Sequence, residues 1–236
     1  MNLIEKVYCK FFDRAYMGQR VSYSQCGEDL IVDFFLTWVL KVEKPTYMDI
    51  GAHHPWSLNN TMLFYKRGLT GINIEPDPSL FANFLKYRTR DININKGIGF
   101  NKNREVADFY IMSYRALNTF SRVDAEKIDN TSNVKIDTVK QVELININEL
   151  LLKYFSNQAL DFLSIDVEGL DLDILKSIEF EKYKINVICV ETVEYLNGFN
   201  STRKNIIKEF LFSMGYNAYA ETPINTIFVR KDISGL

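Results

Sequence analysis

Tyr47-Met48-Asp49-Ile50-Gly51-Ala52-His53-His54-Pro55, followed by Gly71-Ile72-Asn73-Ile74-Glu75-Pro76, decides the fold of this chain. The two runs read as a strand, a tight glycine turn, a helix and a second strand that ends in an acid. This is how a doubly wound α/β sheet holds a cofactor that contains adenosine. Glycine at position 51 lets the backbone turn sharply and lets a ligand come close. An acid at the end of the second strand can accept hydrogen bonds from two ribose hydroxyls.

Outward from these runs, strands and helices alternate. Strands are expected over residues 46–50, 71–75, 92–98, 160–166 and 185–191, and helices over 57–67, 78–90, 148–155, 170–178 and 203–214. Residues 216–221 and 225–229, around Pro223, read as a closing antiparallel hairpin, and the chain up to residue 42 as a helical N-terminal extension. Between them, residues 106–112 and 139–144 alternate like strands, while the polar stretch 121–133 suggests a loop or a short helix. No repeat or Pro/Gly-rich linker divides the 236 residues, so one domain is expected over 1–236, with an insertion over the site at 101–145.

Bulk composition narrows the function. A formal net charge of −2 provides no general attraction to nucleic acid, and no polymer partner of that kind is expected. The three cysteines, Cys9, Cys26 and Cys189, are odd in number and widely spaced, which fits reduced thiols in a cytoplasmic protein, Cys189 being a small buried hydrophobe. The apolar run 30–40 contains Asp33 and is too short to span a bilayer, so no stable membrane insertion is expected. Residues 3–16 read as a helix that packs on the domain or against a second subunit of a homodimer.

In an open α/β sheet, ligands bind beyond the carboxyl ends of the strands. Glu75, Asp166 and Glu191 end three of the expected strands there, and Asp49 lies just before the end of the first. Acids are depleted within strands, so four at one edge indicate a site. Any one of them alone also has a plain structural reading, as a helix cap or a loop hydrogen bond, and it is the set that favours a site.

Four motifs occur in order over residues 22–195: Tyr23-Ser24-Gln25-Cys26-Gly27-Glu28-Asp29, Asp49-Ile50-Gly51-Ala52-His53-His54-Pro55, Gly71-Ile72-Asn73-Ile74-Glu75-Pro76 and Ile165-Asp166-Val167-Glu168-Gly169. Together they resemble the FkbM family of S-adenosylmethionine (SAM)-dependent O-methyltransferases. The resemblance implies the seven-stranded, Rossmann-like sheet of class I methyltransferases. It also implies SAM as cofactor and a hydroxyl of a sugar or polyketide as acceptor. Carried over, Gly51 and Ala52 face the methionine part of SAM, and Glu75, with Pro76 beside it, holds the ribose. Asp49 contacts the cofactor directly or through water. Ser24, Gln25 and Asp29 close over it from the N-terminal side, and Ile98 touches the adenine. The best acceptor on this reading is a nucleotide-activated sugar destined for a surface polysaccharide. His53 stands where the family more often has Asn, and the stretch 101–140 resembles the family only loosely.

SAM brings its own electrophile, so the protein must position a hydroxyl and deal with its proton. Two devices are available. One is a general base, for which His54 is the favoured residue near neutral pH. The other is a divalent ion (Mg²⁺, Mn²⁺ or Fe²⁺) held by Asp166, Glu168 and Glu191, which would bind the acceptor oxygen and lower its pKa. Arg115, Asn118 and Thr119 can hold a phosphate or sugar hydroxyls, and Trp56 and Tyr195 can stack on a sugar ring. A nucleotide-sugar dehydrogenase or epimerase fits less well, because the first turn lacks G-x-G-x-x-G. An inactive SAM-binding module is the remaining alternative.

Overall fold

The computed structural model describes residues 20–100, 105–197, 200–203 and 205–235. A seven-stranded sheet forms its centre. In chain order its strands are β1 (Tyr47–Ile50), β2 (Ile72–Ile74), β3 (Ile92–Ile94), β7 (Leu160–Ile165), β8 (Ile185–Glu191), β11 (Tyr216–Glu221) and β12 (Asn225–Arg230). The spatial order is β11-β12-β8-β7-β1-β2-β3. Pairings among β3, β2, β1, β7 and β8 are parallel, and β12 runs antiparallel to both β8 and β11. The order reverses between β1 and β7, and this switch point opens the crevice in which such sheets bind ligands.

The inner strands β1, β2, β7, β8 and β12 are buried on both faces, as a doubly wound sheet requires, and the edge strands β3 and β11 are partly exposed. On one face Met48, Ile50, Leu163, Ile165, Ile188 and Val190 pack against helices α5 (Ile147–Phe155), α6 (Asp171–Ser177) and α7 (Asn205–Ser213). On the other, Tyr47, Phe162, Val187 and Cys189 meet α1 (Glu28–Phe34), the π turn Phe35–Val39 and α2 (Met62–Lys66). Alternate residues of each strand therefore serve opposite cores, which is the period-2 geometry of a strand. Cys189 is the buried small hydrophobe expected of it, whereas Cys26 is exposed.

A second, three-stranded sheet orders β4 (Gly97–Gly99), β6 (Ile136–Asn146) and β5 (Val106–Met112). Between β5 and β6 lie a 3₁₀ turn, Arg115–Leu117, and α4 (Arg122–Thr131), whose Ser121 accepts a hydrogen bond from the Asp124 N–H as an N-cap. The remaining elements are α3 (Pro78–Tyr87), a β9/β10 hairpin (Val193–Asn197, Asn200–Arg203) and a short α8 (Lys231–Ser234).

Two expectations are corrected and two are narrowed. The strand read over 92–98 is two strands in two sheets. Asn95 turns its amide onto Glu75 O (2.8 Å) and Pro76 O (3.1 Å), which lifts the chain out of the main sheet. The helix read over 57–67 begins only at Met62, because Leu58 adopts a left-handed φ of 54°. Of the two readings of residues 121–133, loop or short helix, the structure has the helix, ten capped residues over Arg122–Thr131. In the N-terminal extension, only residues 28–39 of the described chain are helical, and residues 1–19 lie outside the described residues. Among the described residues no helix is long and apolar enough to cross a membrane.

Candidate functional site

A cleft of about 300 Å³ opens at the carboxyl ends of β1, β2, β7 and β8. Gly51 makes it possible. Its N–H and that of Ala52 both donate to Ile74 O (3.0 and 3.1 Å), closing the end of β1 onto β2. Its φ is +76°, and a Cβ there would lie 1.8 Å from the carbonyl oxygen of Asp166. Only glycine satisfies both conditions, so the turn can pass between the donor loop and β7.

Glu75 is 4% exposed at the end of β2. Its two oxygens each accept a backbone N–H, Oε2 from His53 (2.7 Å) and Oε1 from Asp77 (2.8 Å). Each oxygen keeps a lone pair for an incoming hydroxyl, the arrangement that a bidentate ribose contact needs. Burial pushes its pKa up to about 8, against the pull of the two N–H donors; Asp77 and Asp49 add to the rise.

Asp49 is also buried. Its Oδ2 accepts from Thr61 Oγ1 (3.0 Å) and Asn59 Nδ2 (3.1 Å). Asp49, Gly51, Ala52, Glu75 and Pro76 all line the cleft, as does Gln25 from the N-terminal side. Ser24 and Asp29 do not. Ser24 Oγ donates to Asp29 Oδ1 (2.9 Å), and the Asp29 carboxylate accepts Tyr23 N (2.7 Å) and Ser22 Oγ (2.6 Å), so the pair builds the loop that presents Gln25. Tyr23 O accepts Asn59 N (3.0 Å), and Glu28 ties the loop to Thr222 (2.7 Å) and Asn225 (3.0 Å) beside β12. Ile98 packs in the main core rather than on the cleft wall, because β4 has left the sheet edge. The apolar lining is instead Leu58, Pro76, Leu80, Phe109, Leu117, Phe120, Val167 and Ile224.

The acids of the other wall converge. Carboxylate oxygens of Asp166, Glu168 and Glu191 lie within 4.8 Å of one another. Asp166 follows β7, and its N–H is held by Ile50 O (3.0 Å). Glu168 is set by an unusual backbone, with a left-handed φ of 52°. That turn is fixed on both sides. Thr119 Oγ1 donates to Glu168 O (3.0 Å), and the Asp171 carboxylate accepts the N–H groups of Val167 and Gly169 (both 3.3 Å). Burial, reinforced by Asp171, Asp49 and Glu28, raises the Asp166 pKa to about 7.

The general base expected at His54 is not brought to the cleft. Its Nδ1 accepts the N–H groups of Trp56 and Ser57 (both 3.2 Å), so the ring caps a loop turn. Its neighbour His53 lines the cleft with a left-handed φ of 53°, and burial lowers its pKa. Residues 114–118 and 120 form the opposite side of the cleft. Asn118 Nδ2 donates to Asp77 Oδ2 (3.1 Å), and the Arg115 guanidinium lies 3.6 Å from Asp77 and 3.5 Å from Asp137. Thr119 is buried against Glu168 rather than open to a ligand. Trp56 stacks edge-on with Tyr87 (6.2 Å) away from the cleft, and the Tyr195 side chain lies outside the described residues.

Sequence reasoning missed Asn60, whose amide reaches Ser164 Oγ (3.1 Å) on the cleft wall, and the pair Asn59 and Thr61. The polar run Asn59-Asn60-Thr61 directly after the glycine turn was the available signal.

The family model described as the methyltransferase FkbM domain matches residues 49–218. No curated protein matches. Solved structures resemble the chain at low identity. A TehB-like SAM-dependent methyltransferase from Corynebacterium glutamicum aligns at 9% identity and TM-score 0.42, covering 96% of this chain and 97% of that one. The 16S rRNA methylase ArmA aligns at 10% identity and TM-score 0.38, covering 94% and 97%.

Proposed function

Because the chain belongs to the FkbM methyltransferase family, with SAM as the methyl donor, we propose that it methylates a hydroxyl of a sugar, one carried on a nucleotide and destined for a surface polysaccharide. The observation that carries this reading is the meeting of three elements in one cleft: the donor loop with Glu75, the Asp166–Glu168–Glu191 carboxylates, and the segment that bears Arg115. A hydroxyl acceptor needs its proton removed, and the carboxylates stand where that can happen. Among the described residues lining the cleft, Arg115 is the sole Arg or Lys. Its contacts to Asp77 and Asp137 are longer than good hydrogen bonds, and Asp77 is already satisfied by Ser79 N (2.8 Å) and Asn118. The guanidinium is therefore placed to take an anionic group of the acceptor, such as a phosphate.

In the transfer, the methyl carbon leaves the sulfonium sulfur as the acceptor oxygen bonds to it, and the hydroxyl proton must go elsewhere. Glu75, Asp49, Gly51 and Ala52 fix the donor. Asp166, with a pKa near 7, is matched to accept a proton at neutral pH, a role the sequence had suggested for His54. The same three carboxylates are hard oxygen ligands. Gathered within 4.8 Å of one another, Asp166, Glu168 and Glu191 would hold Mg²⁺ or Mn²⁺. Such an ion, when bound, supplies Lewis-acid activation of the acceptor oxygen.

The test is incubation with SAM and a panel of UDP-, dTDP- and GDP-sugars, with Mg²⁺, with Mn²⁺ and with chelator. S-adenosylhomocysteine is followed by mass spectrometry and the methylated position by NMR. Turnover on a nucleotide sugar, lost with chelator, supports both parts of the reading. Turnover that survives chelator leaves Asp166 as the base and removes the metal. Turnover confined to RNA or to other acceptors overturns the sugar assignment.

A further inference from the structure

We propose that Arg88, a guanidinium with no exposed surface and outside the cleft, is a positioning residue that aims Asp49 at the donor. This rests on the reading that Asp49 faces SAM. Arg88 ends α3 and sits between the rings of Tyr65 (4.7 Å to its centroid) and Tyr47 (5.8 Å). Its charge is balanced by Asp91, whose Oδ2 accepts Arg88 Nε (2.8 Å). Asp91 also accepts Tyr47 OH (2.7 Å), Gly71 N (3.0 Å) and Asn73 Nδ2 (2.9 Å). The buried pair is thus fully bonded, the condition under which such a pair is tolerated.

The remaining nitrogens of Arg88 reach the residues that hold Asp49, an acid of the cleft lining. One donates to Asn59 Oδ1 (3.1 Å) and Pro55 O (3.3 Å). The other donates to Thr61 Oγ1 (3.1 Å) and Tyr47 OH (3.3 Å). Asn59 and Thr61 are the residues whose side chains donate to Asp49 Oδ2. Arginine has donors only, and this fixes the direction of every bond that follows. With Asn59 Oδ1 taken by Arg88, the Asn59 amide must present its NH₂ to Asp49 and to Ala52 O (3.1 Å). With Thr61 Oγ1 accepting from Arg88, the hydroxyl proton is turned outward, toward Asp49 or Asn59 Oδ1. Because Arg88 already occupies Asn59 Oδ1, the carboxylate is the better acceptor. Two short chains of donors therefore run from one buried cation to one carboxylate oxygen, each bond polarising the next. Pro55 O and Ala52 O tie the same network to the loop that carries His53.

A residue that only filled space would lower stability without regard to Asp49. The discriminating experiment is a double-mutant cycle read by calorimetric titration with SAM, using Asp49→Asn, Arg88→Met and the pair, with melting temperatures as the fold control. Arg88→Met and Asp49→Asn are each expected to weaken SAM binding about tenfold, and Arg88→Met to add less than about twofold in the Asp49→Asn background. Thr61→Val removes one arm of the network without touching the buried charge. It should weaken binding roughly threefold, again only while Asp49 is present, and it decides the matter if Arg88→Met does not fold. Independent, multiplying losses would overturn the proposal. Unchanged affinity in Asp49→Asn would overturn the donor contact of Asp49 itself, and the proposal with it.

Discussion

Gly51 and Glu75 show how much of the donor side rests on single residues. At Gly51 a methyl group would collide with the Asp166 carbonyl and would also sit at an unfavourable φ. Neither can relax, since β1 and β7 pair through Asp49–Ser164 and Ile50–Ile165 just before the turn. Gly51→Ala is expected to lower stability by about 2–4 kcal/mol and to abolish SAM binding, measured by thermal melting and calorimetry. Glu75→Ala, by contrast, removes a buried carboxylate without a clash. It should leave the fold intact but weaken SAM and S-adenosylhomocysteine about 100-fold, through loss of two hydrogen bonds to a buried carboxyl group. Equal affinity in the variant would remove the ribose assignment. Both residues were legible in the sequence because each marks a constraint that the chain shows openly: a glycine at a turn and an acid at a strand end. His54 was misread because the sequence shows a titratable ring but not its partners. Two backbone N–H groups already occupy its Nδ1. Arg88 was invisible for the opposite reason. In Tyr87-Arg88-Thr89-Arg90 it looks like the solvated end of a helix, and its burial follows from Asp91 and Asn59, which only the fold brings to it.

At the scale of elements, the segment between β5 and β6 is the one whose sequence reading and structure differ most. Its strands could be recognised from alternation, but not that β4 would leave the main sheet to pair with β6 at Ile98–Ile145. Strand partners separated by dozens of residues leave no local trace, and the pairing of β1 with β7 is another such case; the β1–β2 and β7–β8 pairs, by contrast, follow from βαβ units that are each local. The segment is fastened to the main sheet at two points next to the cleft, Asn118 on Asp77 and Thr119 on Glu168. It can therefore cover the acceptor while the donor site stays formed on the other side. Arg115→Gln should raise KM for a phosphate-bearing acceptor about 10- to 100-fold, the loss of one charged hydrogen-bond pair, and leave SAM affinity within about twofold. A fall in kcat with unchanged KM would instead place Arg115 in the chemical step. Thr119→Val should act differently. Without its hydroxyl the strained Glu168 turn loses one anchor, so kcat should fall while both binding constants hold.

Over the whole molecule, the cleft is a place where carboxylates are gathered at the expense of folding stability. Asp49, Glu75 and Asp166 all have pKa values raised by burial, Glu75 to about 8 and Asp166 to about 7. A carboxyl whose folded pKa lies above its unfolded value binds its proton more tightly when folded. Its stabilising contribution is complete below the unfolded pKa, near 4, and is lost as pH rises through the folded one. The two histidines act in the opposite sense. His53 and His54 have lowered pKa values, so their contribution grows with pH and levels off about one unit above the ordinary histidine value of 6.5, where both states are neutral. Between about pH 7 and 8 the carboxylates therefore dominate, with the unfolded histidines nearly neutral and the thiols still protonated in both states. In this window the unliganded protein should melt at progressively lower temperature, by several degrees in all. Glu75→Gln should remove most of that slope, because it cannot ionise; Asp166→Asn should remove the part below pH 7.5. SAM, which places ribose hydroxyls and positive charge against these groups, should flatten the curve of the native protein. A melting temperature that is constant or rising across this window, without ligand, would mean that the carboxylates are already compensated and that the site does not hold charge in reserve for its cationic donor.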